Sequence, residues 1–108
     1  MSLSYAWEQF YSAVRGLAMW NPIQERLCGA YVFHLIHVKV EDLPENIRDD
    51  FRKLQAELTS GKPTGVEGTV AAFCNGLTDE QAASYADRII DMYDTVARHL
   101  GPHLGHTQ

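Results

Sequence analysis

The segment from Asn21 to about Val38 constrains the fold more than any other part of the sequence. Asn21 is a residue type that caps helices, Pro22 suits the first helical position, and Gln24 stands at the spacing of a capping box. Apolar side chains then follow on every side of the predicted helix. A helix that is apolar all round is normally buried on more than one side. We therefore predict an all-α fold, a compact bundle of four to five helices around a central apolar helix from about Pro22 to Val38.

Four more segments carry apolar residues at the three-and-four spacing of a helix with one buried face. These segments begin after Ser4, after Pro44, near Glu67 and after Thr78. The last of them is predicted to end at Gly101-Pro102, because glycine and proline commonly follow helix ends. A short extended stretch at Val38 to Val40 is the alternative ending of the central helix, since β-branched side chains favour strands.

The length and composition of the chain indicate one folded domain. A chain of 108 residues has the usual size of a single domain, and we predict a helical domain over residues 1–102 with a flexible tail over 103–108. The hydrophobic fraction of 45% and the charged fraction of 21% exclude the composition of a disordered chain. Cys28 and Cys74 lack the paired spacing of a zinc site, so we expect two buried, reduced thiols.

The charge balance limits the classes of partner. Fourteen acidic and nine basic residues give a formal net charge of -5, whereas nucleic-acid binding needs a basic face. No stretch approaches the roughly 20 apolar residues of a membrane span, and the N-terminus does not resemble a secretory signal. We therefore predict a cytoplasmic protein with neither nucleic acid nor membrane as a partner. An acidic surface suits a basic protein partner, as in an antitoxin or immunity protein, although it more often maintains solubility.

Aspartates on the last predicted helix raise the alternative of an enzyme. Asp87, Asp91 and Asp94 recur at spacings of four and three, and Asp50 on the third helix is a further carboxylate. A metal-dependent hydrolase could use Asp50, Asp87 and Asp91. However, the 100° step of a helix places the three aspartates of the last helix roughly 140 to 160° from its apolar face. A solvated face is the favoured interpretation, with Asp94 and Arg98 at the spacing of an exposed ion pair.

Two histidines on the central helix raise the question of a metal or a small ligand. His34 and His37 are three residues apart, a spacing that can bring two imidazoles to one ion. No acidic residue accompanies them within that turn, so we predict neither a metal nor another cofactor. His34 is expected on the apolar face, where a buried neutral histidine is the commoner role. Tyr31 and His34 are the candidate lining of an internal ligand pocket.

One face of the central helix carries more apolar side chains than packing in a small bundle requires. Val32, Phe33 and Ile36 lie on this face, and Trp7 and Trp20 are aromatics of the kind enriched in binding interfaces. If these side chains are not covered within the chain, they mark an interface with another protein or with a second copy. No recognisable nucleophilic triad is present. We therefore predict a small acidic interaction or regulatory protein without catalytic activity. Its partner at the second helix is either a second copy, which gives a homodimer, or another protein.

Overall fold

The first helix begins where the sequence supplies a side-chain cap. The computed structural model describes residues 2–63, 65 and 68–104. The Ser2 hydroxyl accepts a hydrogen bond from the Tyr5 backbone N–H at 3.2 Å, and α1 follows as Leu3–Leu17. This cap lies two residues before the predicted start. The buried side chains of α1 recur at helical spacing: Ala6, Phe10, Ala13 and Leu17.

The central helix is shorter than its apolar sequence suggests. α2 comprises Ile23–Phe33, and the backbone leaves helical geometry at His34, where φ is -131° and ψ is -64°. A 3-10 turn, Leu35–His37, follows. The predicted continuation of the α-helix to Val38 is therefore wrong.

Low helix propensity explains where α2 ends. Apart from Leu35 and Lys39, residues 32–40 are valine, phenylalanine, histidine and isoleucine, which form helices less readily. Val38 and Lys39 adopt extended backbone with ψ of 131° and 135°, but no strand forms among the described residues. Leu35 and Val38 are nevertheless buried, so the irregular segment still contributes to the core.

Arg26 and a backbone carbonyl hold the start of α2, in place of the predicted Asn21 cap. Pro22 occupies the cap position, and its carbonyl accepts hydrogen bonds from the N–H groups of Glu25 and Arg26 at 3.0 Å. Arg26 Nε and Nη1 donate to the carbonyls of Asn21 at 2.6 Å and Leu17 at 2.7 Å. Because Leu17 ends α1, Arg26 ties that helix to the start of α2.

The remaining helices complete the predicted bundle. Two more 3-10 turns, Val40–Asp42 and Glu45–Ile47, lead into α3, which covers Arg48–Leu58. α4 spans Thr69–Asn75 and α5 spans Asp79–Leu104. The described residues thus form five α-helices, which confirms the predicted fold class.

The sequence predicted the start of α5 correctly but not its end. The Thr78 hydroxyl accepts from the Gln81 backbone N–H at 3.1 Å, and Gln81 Oε1 accepts from the Thr78 N–H at 2.9 Å, as in a capping box. The predicted end at Gly101-Pro102 is wrong. Gly101 does not adopt a positive φ, so the left-handed cap that ends many helices is not formed. Residues 103 and 104 of the predicted tail belong to α5, and residues 105–108 lie outside the described residues.

The core lies between α2 and the helices around it. α1, α4 and α5 pack against α2, whose Leu27, Ala30 and Tyr31 are buried. Phe10 of α1 meets Phe51 of α3, with ring centroids 5.8 Å apart. The largest side chains that are fully buried are Phe10, Phe51, Leu27, Leu35, Leu43, Leu54, Leu58, Ile89, Val96 and Cys74. No helix of the described residues has the length and apolar character to cross a bilayer.

Removing the Phe51 ring should destabilise the bundle strongly. We expect Phe51→Ala to lower the free energy of unfolding by about 3–5 kcal/mol, because the fully buried ring leaves a cavity against Phe10. Urea unfolding followed by circular dichroism measures the change. Ile90→Ala is the matched control, since Ile90 is 42% exposed, and a change of about 1 kcal/mol or less is expected there. A loss below about 1 kcal/mol for Phe51→Ala contradicts the packing described.

Candidate interaction surface

Five large apolar side chains are exposed around the C-terminal ends of α1 and α2. The exposed fractions are 92% for Trp20, 71% for Phe33, 58% for Met19, 50% for Ile36 and 38% for Val32. We call these five residues the apolar surface. Four of them, all but Met19, are predicted interface residues. Met19 stands next to Trp20 in the connection between α1 and α2, and two adjacent large apolar residues in such a connection are a sequence signal for an exposed patch.

Phe33 forms a ridge between two grooves. The smaller groove, of about 200 Å³, is lined by Met19, Gly29 and His34 as well as Phe33. The larger groove, of about 420 Å³, is lined by Cys28 and Val32 on the other side of the same ring. The ring itself lies back over Gly29, where an added Cβ would stand 3.5 Å from Phe33 Cδ2. Met19, Phe33 and Val32 therefore belong to one continuous surface.

Trp20 and Ile36 lie in the chain segments that adjoin α2 on either side. Trp20 lines a third groove with Asn21 and Arg26, and both of those residues also line the smaller groove beside Phe33. Ile36 lies in the 3-10 turn, three residues after Phe33. Because Arg26 fixes the backbone of the connection that carries Trp20, the indole is presented from a held segment of chain.

Trp7 is not part of the apolar surface. Its side chain is half-buried and packs against the core, and it stacks on Tyr11 with ring centroids 5.1 Å apart and an interplanar angle of 17°. Along α1 it lies about 15 Å from Leu17, at 1.5 Å per residue. The prediction of an interface that includes both tryptophans is therefore wrong for Trp7, because Trp7 packs against the core while Trp20 is exposed.

Tyr31 and His34 have different surroundings. Tyr31 is buried on the side of α2 that faces the core. Burial raises the pKa of the Tyr31 phenol, and the Gln55 side chain of α3 acts in the opposite direction. His34 is half-buried at the end of α2 and lines the smaller groove. Among the described residues, no three histidine, cysteine or acidic side chains come together as metal ligands, so no third ligand joins His34 and His37 there.

The acidic residues named from the sequence are only partly brought together. Asp50 and Asp91 line one cleft of about 280 Å³ between α3 and α5. The other lining residues are Ile47, Arg88, Met92 and Thr95. Asp87 is exposed and does not line this cleft. Asp94 is exposed and Arg98 Nε donates to its Oδ2 at 2.8 Å, which confirms the predicted ion pair.

A polar cluster that the sequence did not reveal joins α3 to α5. Glu57 Oε1 accepts hydrogen bonds from the Tyr85 hydroxyl at 2.5 Å and from Arg88 Nη1 at 3.1 Å, and Oε2 accepts from Arg88 Nη2 at 3.3 Å. The Arg88 guanidinium also lies over the Tyr85 ring, 5.1 Å from its centroid. These hydrogen bonds, from Arg88 first and then Tyr85, lower the pKa of Glu57. Tyr85 and Arg88 follow Glu57 by 28 and 31 positions, so no local sequence pattern predicts the cluster.

The Glu57 cluster should contribute to stability at neutral pH and lose that contribution in acid. A carboxyl whose pKa is lowered by folding stabilises the fold above its unfolded pKa, about 4.3, and this contribution is lost as pH falls through the folded value. Glu57 is 40% exposed, so we expect an effect of roughly 1 kcal/mol or less.

Urea unfolding at a series of pH values measures this effect. Between about pH 5 and pH 3, wild type should lose more stability than Glu57→Gln. Glu8→Gln, at an exposed glutamate of α1, controls for the loss of one surface charge. Parallel pH profiles for wild type and Glu57→Gln contradict a stabilising role for the ionised cluster.

Comparison of the chain with protein families, with curated proteins and with solved structures gives no significant match. No activity, ligand or partner of a related protein is therefore known that could indicate the function of this chain. A shared fold would in any case constrain function only weakly, because function depends on the local site. The exposed side chains, the grooves and the polar contacts of the described residues carry the functional proposal.

Proposed function

We propose that this protein is a non-catalytic interaction protein that binds through the apolar surface, and that the occupant of this surface is a second copy of the chain. The observation that carries the proposal is the exposure of Phe33, with a groove on each side of its ring. Two free cysteines are in keeping with a reducing compartment, so the proposal places the protein in the cytoplasm.

The size of the apolar surface supports this role. An aromatic side chain carries about 150–250 Å² of buriable area, so Trp20 and Phe33 together expose roughly 300 Å². Met19, Ile36 and Val32 extend this area. The largest apolar patches of typical monomers reach about 300–600 Å², and a stable interface covers about 800 Å² on each partner. The apolar surface with its polar margin is large enough to form the centre of such an interface.

The shape of the apolar surface supports a second copy as the occupant. A two-fold interface is self-complementary, so the same surface must supply both the protruding group and its receptor. Phe33 is largely exposed, and the adjoining groove of about 200 Å³ exceeds the roughly 150 Å³ of an apolar cavity that holds benzene. In the proposed dimer, the Phe33 ring of one protomer occupies the groove beside the Phe33 ring of its partner.

The charges within the two grooves favour an apolar contact. The formal charges of Glu25 and Arg26 cancel in the smaller groove, and among the described residues Glu25 is the one charged residue that lines the larger groove. Each is already engaged within the chain: Glu25 Oε1 accepts from Asn21 Nδ2 at 3.3 Å, and Arg26 donates to two backbone carbonyls. Charged residues are depleted at the centres of protein interfaces, and this surface has the same character.

Phe33→Asp should dissociate the dimer without unfolding the protomer. We expect wild type to sediment as a dimer and Phe33→Asp to shift towards monomer. The dissociation constant should rise about a hundredfold or more, because a central aromatic contributes about 2 kcal/mol per copy. Analytical ultracentrifugation over a range of concentrations measures this shift. Ile90→Asp is the matched control, since Ile90 is an exposed apolar residue of α5 outside the apolar surface, and it should leave the dimer intact.

Two outcomes contradict the proposal. A wild-type chain that stays monomeric at every concentration excludes self-association, and equal dimerisation of wild type and Phe33→Asp excludes this surface as the interface. Urea unfolding of the monomeric variant verifies that the fold is retained, because a substitution at an exposed position should change stability by only about 0.5 kcal/mol.

A metal-dependent hydrolase is the second candidate, favoured by one observation. Asp50 and Asp91 line the same cleft as Thr95, and two carboxylates with a hydroxyl are oxygen ligands that Mg²⁺ or Mn²⁺ accepts. Arg88 also lines this cleft, although its charge is paired with Glu57. This candidate predicts Mn²⁺ binding in titration calorimetry that is lost in Asp91→Ala and kept in Asp94→Ala. The absence of any Mn²⁺ binding by wild type contradicts it.

A further inference from the structure

Cys28 and Cys74 are distant in the sequence but adjacent in the fold. Cys28 of α2 lines the larger groove together with Ala71 and Asn75 of α4. Residues 71, 74 and 75 share one face of a helix, because positions three and four apart are neighbours, so Cys74 lies on the α4 face that meets Cys28. The two thiols also influence each other's ionisation, because Cys74 lowers the pKa of Cys28 and Cys28 raises the pKa of Cys74.

The two thiols differ in their access to solvent. Cys28 is half-buried and opens onto the groove of about 420 Å³ beside Phe33. Cys74 is fully buried. A small oxidant can therefore reach Cys28 through the groove, whereas Cys74 has no surface exposed to solvent.

We propose that Cys28 and Cys74 form a modification site at which a hydroperoxide converts the two thiols into an intramolecular disulfide. This disulfide covalently links α2 to α4 beside the apolar surface. The inference rests on the juxtaposition of the two thiols and does not depend on self-association of the chain.

The reaction takes place in two balanced steps. The Cys28 thiolate attacks one oxygen of the hydroperoxide, so an S–O bond forms, the O–O bond breaks, and the leaving alkoxide or hydroxide takes up a proton. Cys74 then attacks the Cys28 sulfur: the S–S bond forms, the S–O bond breaks, and the released hydroxide leaves as water with the Cys74 proton. Two thiols are oxidised and one hydroperoxide is reduced to an alcohol, or to water, with one further water released.

The surroundings of the thiols determine which sulfur reacts first. Burial raises the pKa of the Cys28 thiol, but the hydrogen bond from Cys74 acts in the opposite direction. Burial, reinforced by the neighbouring Cys28, raises the pKa of Cys74 to about 12. Cys28 is therefore the thiol that forms a thiolate more readily, and its oxidation should accelerate with increasing pH because the thiolate is the nucleophile.

Intact-mass spectrometry after treatment of the reduced, full-length protein with hydrogen peroxide tests the proposal. The expected product is a monomer that has lost two hydrogens, no longer reacts with N-ethylmaleimide, and yields a peptide cross-linked between Cys28 and Cys74 on digestion. A product that has gained oxygen on Cys28 while Cys74 remains a free thiol would overturn it. Disulfides exclusively between chains would overturn it equally.

Two single substitutions separate the roles of the sulfurs. Cys74→Ser should stop the reaction at the Cys28 sulfenic acid, detected as one added oxygen that dimedone traps. Cys28→Ser should leave Cys74 unoxidised in the folded protein, yet accessible to N-ethylmaleimide in urea. Circular dichroism verifies that both variants are folded, and the wild-type cross-link stands as an independent test if either is not. Oxidation of Cys74 in folded Cys28→Ser at the wild-type rate would overturn the assignment of Cys28 as the first nucleophile.

Discussion

The one-sided packing of α2 is the constraint on which the rest of the structure depends. α1, α4 and α5 all contact this helix, whose Leu27, Ala30 and Tyr31 are buried. A chain of this size has no further helix among its described residues to cover the opposite side, so Phe33 and Val32 face solvent. Burying one side of an apolar helix therefore creates both the core and the exposed surface.

Polar contacts hold this arrangement in a defined geometry. Gln24 Nε2, on α2, donates to the Leu77 carbonyl at 3.1 Å and to Asp79 Oδ1 at 2.9 Å, which joins α2 to the connection between α4 and α5. Arg26 joins α2 to the end of α1 in the same way. An apolar surface presented by a held backbone loses little conformational entropy when it binds, which favours recognition over non-specific adhesion.

Three polar or reactive features arise from contacts between helices rather than from any single segment. The Glu57 cluster joins α3 to α5, the Asp50 cleft lies between the same two helices, and the cysteine pair joins α2 to α4. Arg88 connects the first two, because its guanidinium pairs with Glu57 and also lines the cleft. The pairing leaves the two aspartates as the unneutralised charges of that cleft.

Local sequence determined the helical class, the capping box at Thr78, the Asp94–Arg98 ion pair and the apolar excess around Val32, Phe33 and Ile36, because each depends on residues within a turn or two of one another. The end of α2 also follows from local sequence, through the low helix propensity of residues 32–40. Only the tertiary structure decided which aspartates share a cleft and that the two cysteines meet. These features depend on side chains that are far apart in sequence and are brought together by helix packing. The exposed apolar side chain of Phe33 depends on both sequence and tertiary structure. The sequence determines that the residue is apolar, whereas the packing of the bundle leaves it without a covering helix among the described residues.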